Sequence, residues 1–245
     1  MPDRLSVDFG TPRQNKLLAA LSARDLERLL PNLQPVCLEP GEVIYESGAD
    51  LEAVYFPTTA IVSLMYVLVD GSSAEIALVG NDGLVGVALF MGGASTPGRA
   101  VVQSSGWVFR LKAQDLIAEF ERAGAMQHLL LRYTQALITQ MAQTAVCNRH
   151  HSIDQQLCRW LLMTLDRSPS NEIAITQELI ANMLGVRREG VTAAVGTLED
   201  AGHIRHRRGH ITVISRGGLE ARCCECYGVV KRESDRLLPE TRSEV

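Results

Sequence analysis

The stretch Ile173–Ile214 reads IAITQELIANMLGVRREGVTAAVGTLEDAGHIRHRRGHITVI, and its pattern decides the architecture of the C-terminal half of the chain. Leu179, Ile180 and Met183 fall on one face of a helix that begins at Thr176. Gly185, inside Leu184-Gly185-Val186, supplies the residue that tolerates positive φ in a tight turn. A second helix starts at Arg188 with Val191, Val195 and Leu198 inward, and Gly202 stops it. Ile204 opens a hairpin that turns at Arg208-Gly209 and returns through Ile211-Thr212-Val213-Ile214. Helix, glycine turn, helix and basic hairpin spell a winged helix-turn-helix; the competing reading is an αα-hairpin followed by a solvated basic loop.

In the first reading the second helix enters the DNA major groove with its first turn against the base edges. That turn carries Arg187, Arg188 and Glu189. Arginine can grip a guanine edge through two hydrogen bonds, and a glutamate can accept from cytosine. Arg205, His206, Arg207, Arg208 and His210 on the hairpin suit backbone phosphates. Between Gly185 and Arg216 six arginines stand against Glu189, Glu199 and Asp200, although the whole chain carries a net charge of −4. The basic charge is therefore concentrated in one reading head, which argues against a protein that coats nucleic acid without regard to sequence.

Outward from this stretch, the 245 residues have room for one large or two ordinary domains. Asn15–Leu21 and Ala23–Leu30 read as short helices, with Ser22 and Asp25 at capping-box spacing and Pro31 as a stop. From Val36 to Leu111 the pattern changes to short strands punctuated by Pro40-Gly41, Ser47-Gly48, Asp70-Gly71, Asn81-Asp82-Gly83, Gly92-Gly93 and Pro97-Gly98. Asp70-Gly71 between two apolar runs is a hairpin signal, and so many short strands predict a β-roll of jelly-roll type. After a short helix at Gln114–Glu121 comes a long one, from about Gly124 to Arg149. Its residues Met126, Leu130, Tyr133, Leu137, Met141 and Ala145 recur in threes and fours, which is coiled-coil spacing. One apolar face is expected to dock on the roll, and Leu130, Tyr133, Leu137 and Met141 are expected to form a seam with a second copy. Ser152 and Gln155 cap a further helix through Leu165, and Gly217–Arg236 reads as helical before a polar tail from Pro239. The fold class is thus α+β: a sensor roll over residues 13–122, a long dimerisation helix over 123–151, and a winged helix-turn-helix unit over 152–236.

This order of elements resembles the Crp/Fnr family of bacterial transcription regulators over about residues 13–230. The resemblance rests on Pro40-Gly41-Glu42-Val43-Ile44 with Gly48, on Val54-Tyr55-Phe56 and on Gly83-Leu84-Val85-Gly86. In the other half it rests on Thr176-Gln177-Glu178-Leu179, on Leu184 to Thr192 and on Ala201-Gly202-His203-Ile204. It implies a homodimer on palindromic double-stranded DNA, with Thr176, Gln177 and Thr192 joining the contact set, and RNA polymerase as a further partner. Arg188 and Glu189 match family base-reading positions; Ala193 replaces a family arginine and Arg187 a capping Ser or Thr. The implied effector pocket involves Gly86, Val87, Ala88, Arg99, Ala100 and Met141. Arg99 can pair with a phosphate, but Val87 replaces the glutamate that accepts from a ribose hydroxyl, and Met141-Ala142 replaces the Thr-Ser pair that meets a purine. Ligand groups buried without partners cost affinity, so the expectation is an unidentified small-molecule effector or redox signal rather than cyclic AMP. The alternatives are a cyclic nucleotide held by Arg99 with other partners, or a sensory or scaffold protein whose helix-turn-helix binds a protein.

No catalytic constellation is legible: there is no phosphate loop, nucleophile elbow or paired carboxylate motif. No histidine falls between residues 36 and 111, which removes a cupin-type metal site, and no axial haem ligand stands out. The six cysteines are irregularly spaced. Cys37 is alone where an oxygen-sensing relative would carry a cluster, and Cys223-Cys224-Glu225-Cys226 is the one dense group. On a continuous helix Cys223 and Cys226 would share a face, with no fourth ligand in view, and His150-His151 reads as a solvated helix end. No metal and no cofactor are therefore expected. The polar N-terminus and the strand-like apolar stretch Ala53–Val69 predict no leader and no membrane span, hence a cytoplasmic protein with reduced thiols.

Overall fold

The computed structural model describes residues 9–238. The polar tail expected from Pro239, and the first eight residues of the N-terminal tail, lie outside that range. Helices α1 (Lys16–Ala19) and α2 (Ala23–Leu29) precede seven strands: β1 (Gln34–Leu38), β2 (Val43–Tyr45), β3 (Ala53–Pro57), β4 (Ile61–Val67), β5 (Ser73–Val79), β6 (Arg99–Ser104) and β7 (Gly106–Lys112). Next come α3 (Ala113–Glu121), α4 (Ala125–His150) and α5 (Ile153–Leu165). The remainder is β8 (Glu172–Ala174), α6 (Gln177–Leu184), α7 (Arg188–Asp200), β9 (Ile204–Arg207), β10 (His210–Val213), α8 (Arg216–Arg222) and α9 (Glu225–Leu237).

The seven strands make two antiparallel sheets, β1-β7-β3 and β2-β6-β4-β5, which face each other as a roll. Alternation along β3 sends Val54 and Phe56 into the space between them, where Val62, Leu84, Phe109 and Leu111 join them. Leu17 and Leu18 of α1 close one side, held by Asn15, whose carboxamide caps the helix and donates to the carbonyls of Pro57 and Gly83.

Helix α4, about 39 Å long for its 26 residues, lies along the roll. Met126, Leu130, Tyr133 and Leu137 turn into the roll core, and the Tyr133 hydroxyl donates to the Leu84 carbonyl at 2.8 Å. A Cβ at Gly83 would sit 2.5 Å from that hydroxyl, so only glycine lets the helix approach. The predicted seam residues Leu130, Tyr133 and Leu137 are 0%, 5% and 4% exposed. They are consumed by this chain's own core, and Met141 packs against the same core. The face left open is the next one round, His128, Leu131, Gln135, Ile138, Ala142, Ala145 and Arg149, all exposed. It too repeats in threes and fours.

The C-terminal unit is built on α5, whose residues Gln156–Thr164 are all buried. Leu157 and Leu161 of α5 share a core with Ile180, Val191, Val195, Leu198, Ile211 and Val213, and also with Ile61 and Leu78 of the roll. Arg167 reaches back to Asp82 at 2.7 Å, and Gln140 of α4 donates to the Leu78 carbonyl at 3.1 Å. The wing sheet has three strands, β8-β10-β9, rather than the two of a plain hairpin, because Glu172–Ala174 pairs with His210–Thr212. The expected continuous helix over Gly217–Arg236 is broken: Cys223 (ψ 153°) ends α8 and Cys224 (ψ 164°) caps α9, both with extended backbone. Cys223 and Cys226 therefore do not share a helix face.

Candidate DNA-reading surface, effector cavity and thiol cluster

The reading head follows from local capping. Thr176 accepts from the Leu179 amide at 3.2 Å and starts α6. Gly185, at φ 66°, ends it and redirects the chain into α7. Arg187 occupies the N-cap of α7 without a side-chain cap, since a guanidinium has nothing with which to accept. Its side chain is left outward beside Arg188, Glu189 and Thr192, all exposed. The Thr192 hydroxyl lies 2.8 Å from Gln177 Oε1 and 3.1 Å from the Arg188 carbonyl, so it ties the two helices at the point where they would meet DNA.

On the wing, Ile204, Ile211 and Val213 point inward while Arg205 and Arg207 stand out beside Arg208 in the turn. Among the described residues none of Arg187, Arg188, Arg205, Arg207 and Arg208 forms an ion pair. His210 differs: its Nδ1 is 3.3 Å from a carboxylate oxygen of Glu172. Glu199, counted from the sequence as an opposing charge, accepts from the His206 amide at 2.8 Å and thereby fixes the wing to α7.

Gly86, Val87, Ala88, Arg99 and Met141, expected at an effector pocket, border a cavity of about 90 Å³ together with Tyr45 and Tyr66, which the sequence did not flag. Ala100 is fully buried in the roll core and does not line it, because its side chain points the other way from that of Arg99 along β6. Arg99 Nε lies 3.0 Å from a carboxylate oxygen of the exposed Glu46 side chain, an ion-pair contact in which Nε makes no hydrogen bond. Burial pushes the Tyr45 phenol up to about 12, so it stays a neutral donor. Drug-sized and cofactor ligands occupy cavities from roughly 300 Å³ upward, and this one is far smaller. A larger cleft, about 450 Å³, lies between the roll and α9 and is lined by Asp82, Asp166, Arg167, Tyr227, Lys231 and Asp235 among others.

The sequence marked Cys223-Cys224-Glu225-Cys226 as a group and left Cys147 unremarked; the fold brings Cys147 to that group. Cys147 in the last turn of α4, His151 just after it, and Cys224 and Cys226 at the α8–α9 break place their ligand atoms within 4.8 Å of one another. Cys147 Sγ is 3.6 Å from Cys224 Sγ, and Cys226 Sγ is 3.6 Å from His151 Nδ1. The other imidazole nitrogen, Nε2, is 3.4 Å from Glu225. Hydrogen bonds from Cys147 and Cys223 hold the Cys224 thiol well below its usual range, and burial pushes Cys226 up to about 11. The available clue was Cys147 with His151, four residues on and just past the end of α4, paired with a Cys-x-Cys far down the chain.

Residues 35–123 match the family model of the cyclic nucleotide-binding domain, and residues 155–222 match that of the Crp-like helix-turn-helix domain, together more than half of the chain. FixK2 from Bradyrhizobium japonicum is similar in structure at a TM-score of 0.63 and 18% identity, covering 78% of this chain and 98% of its own. A protein assigned to the Crp/Fnr regulators of Eubacterium rectale gives 0.62 at 18% identity, covering 86% and 97%. The c-di-GMP responsive regulator CLP of Xanthomonas campestris gives 0.62 at 14% identity, covering 78% and 99%. No curated protein matches the chain in sequence. No helix among the described residues is long and apolar enough to cross a membrane.

Proposed function

Because this chain belongs to the Crp/Fnr family of transcription regulators, we propose that it binds a two-fold symmetric DNA site as a homodimer and reads it with the first turn of α7. Arg188 and Glu189 read base edges, Arg187 and Thr192 flank them, and Arg205, Arg207 and Arg208 take phosphates. The observation that carries this reading is the set of five exposed arginines with no carboxylate partner among the described residues, gathered on the first turn and the wing. A guanidinium left free of internal partners is available to a guanine edge or a phosphate. Half-sites about 34 Å apart, one DNA turn, fit such a dimer. Its seam is the open face of α4, through Leu131, Ile138, Ala142 and Ala145.

The effector is not cyclic AMP in this proposal. The support is a cavity of about 90 Å³ with Val87, which cannot accept a hydrogen bond, at its wall. Calorimetric titration with cyclic AMP and cyclic GMP is expected to give no binding heat, and saturable binding of either through Arg99 would refute this part. The DNA reading is tested by selecting sites from a random pool of duplexes with reduced full-length protein. A palindrome is expected to emerge. With Arg188→Ala, preference at one base pair per half-site should relax by roughly 1–3 kcal/mol. Arg208→Ala should weaken all sequences alike and lower the salt slope by about one. Unchanged sequence preference in Arg188→Ala would remove α7 as the reader.

A further inference from the structure

We propose that Cys147, His151, Cys224 and Cys226 form a structural zinc site that fastens the C-terminal end of α4 to the α8–α9 break. The donor set is three sulfurs and one imidazole nitrogen, which is a common closed tetrahedral set for zinc. The spacing agrees with it. Zinc bond lengths place ligand atoms about 3.8 Å apart for two sulfurs and about 3.5 Å for sulfur and nitrogen. Cys147–Cys224 and Cys226–His151 each stand at 3.6 Å, and all four ligand atoms lie within 4.8 Å of one another. A disulfide would need the Cys147 and Cys224 sulfurs at about 2.05 Å. A multi-iron cluster would hold its ligands further apart than a single ion does.

The surroundings complete the site. His151 offers Nδ1 to the ion while its Nε2 proton faces Glu225 at 3.4 Å, the carboxylate that orients and strengthens a ligating imidazole. Three thiolates on a divalent ion leave one negative charge in a buried place. Arg159, only 4% exposed and with an unpartnered Nε, acts electrostatically on Cys147 and Cys226 and supplies the balancing cation. Binding releases the thiol protons and keeps the imidazole neutral. The backbone is arranged for it as well: α8 and α9 separate at Cys223 and Cys224, and this break carries Cys224 and Cys226 to the end of α4.

The joint lies at residues 148–152, where the long helix passes into the DNA-reading unit. Under the reading proposed above, the ion would set the angle between the two. Metal binding itself does not depend on that reading, and the test uses metal binding alone. Reduced full-length chain, stripped of metal by a chelator, is titrated with cobalt(II) and then zinc(II). Expected are one cobalt per chain, the intense visible bands of a tetrahedral thiolate complex, and their loss when zinc displaces it. Cys226→Ser and His151→Ala should weaken cobalt at least 100-fold, and Glu225→Gln roughly 10-fold. Cys37→Ser and Cys158→Ser should bind like the parent chain. X-ray absorption of the zinc form, which needs no variant to fold, should show three sulfurs and one nitrogen. Failure of the parent chain to take up cobalt, a weak octahedral spectrum, binding unchanged in Cys226→Ser, or a bound iron–sulfur cluster would each overturn the site.

Discussion

At the scale of single residues, Glu75 is the most consequential side chain outside the surfaces that meet ligands. It sits on β5 against α5, 8% exposed, with the Ser63 hydroxyl donating to it at 2.5 Å. Burial pushes its carboxyl up to about 7, against the opposing pull of that hydroxyl and of Arg159. In the unfolded chain the same group titrates near its ordinary value of 4.5. Between these two values the folded state holds a proton that the unfolded state has lost. Its contribution is therefore intact below about pH 4.5 and declines as pH rises through about 7, by at most roughly 3 kcal/mol. Glu75→Gln keeps a partner for Ser63 and removes the ionisation. Thermal melts should show the variant more stable than the parent chain at pH 8 and little different at pH 5. Equal stabilities at both would mean that the carboxyl is not protonated in the fold. Nothing in the sequence marked Glu75, because an acidic residue in an alternating strand reads as solvent-facing until the helix that covers it is placed.

At the scale of elements, the regular pieces were legible where turn residues and periodicity agreed. The glycine turn between α6 and α7, the capping box of α5 and the hairpin at Asp70-Gly71 all rest on side chains that act within a few residues. What escaped depends on distant partners. The three residues of β8 become a strand only by pairing with His210–Thr212, and the thiol cluster joins Cys147 to Cys224 across 77 residues. Helix α4 shows a different difficulty, since two of its faces carry the same three-and-four repeat. The larger, oilier set, Met126, Leu130, Tyr133 and Leu137, is taken by the roll, and the smaller set with Leu131 and Ile138 faces out. The two faces give opposite mutational signatures. Ile138→Asp should produce monomers in sedimentation with a nearly unchanged melt of the subunit, because Ile138 is 51% exposed. Leu130→Ala should cost about 2–5 kcal/mol in denaturant unfolding, as for other cavities of this size. A dimer that survives Ile138→Asp would move the seam elsewhere.

At the scale of the whole molecule, roll and reading unit are held by polar ties as well as by packing. Arg167 is the principal tie, with its side chain 8% exposed and paired to Asp82 at 2.7 Å, and it also donates to the Met163 carbonyl. Arg167→Ala removes the guanidinium that pairs with Asp82 at the junction. Because Asp82 keeps some contact with water, the expected loss is about 1–3 kcal/mol, below that of a fully buried pair. It should appear in calorimetry as a downward shift of one transition that stays single. Splitting into two transitions would mean that this pair, rather than the apolar contact, makes the halves melt together.

The place of Ile61 and Leu78 in the core of the reading unit has a consequence for anyone who wants to borrow that unit. Cut from the chain at the hinge, it would leave behind two of the side chains that complete its interior and bring bare oily surface to water. A grafted reader built from residues 152–238 should therefore clump or melt early unless the vacated seats on α5 and α6 are refitted with polar residues. The head is not a detachable tool, and swapping it onto another sensor requires carrying the β4 and β5 ribbon with it.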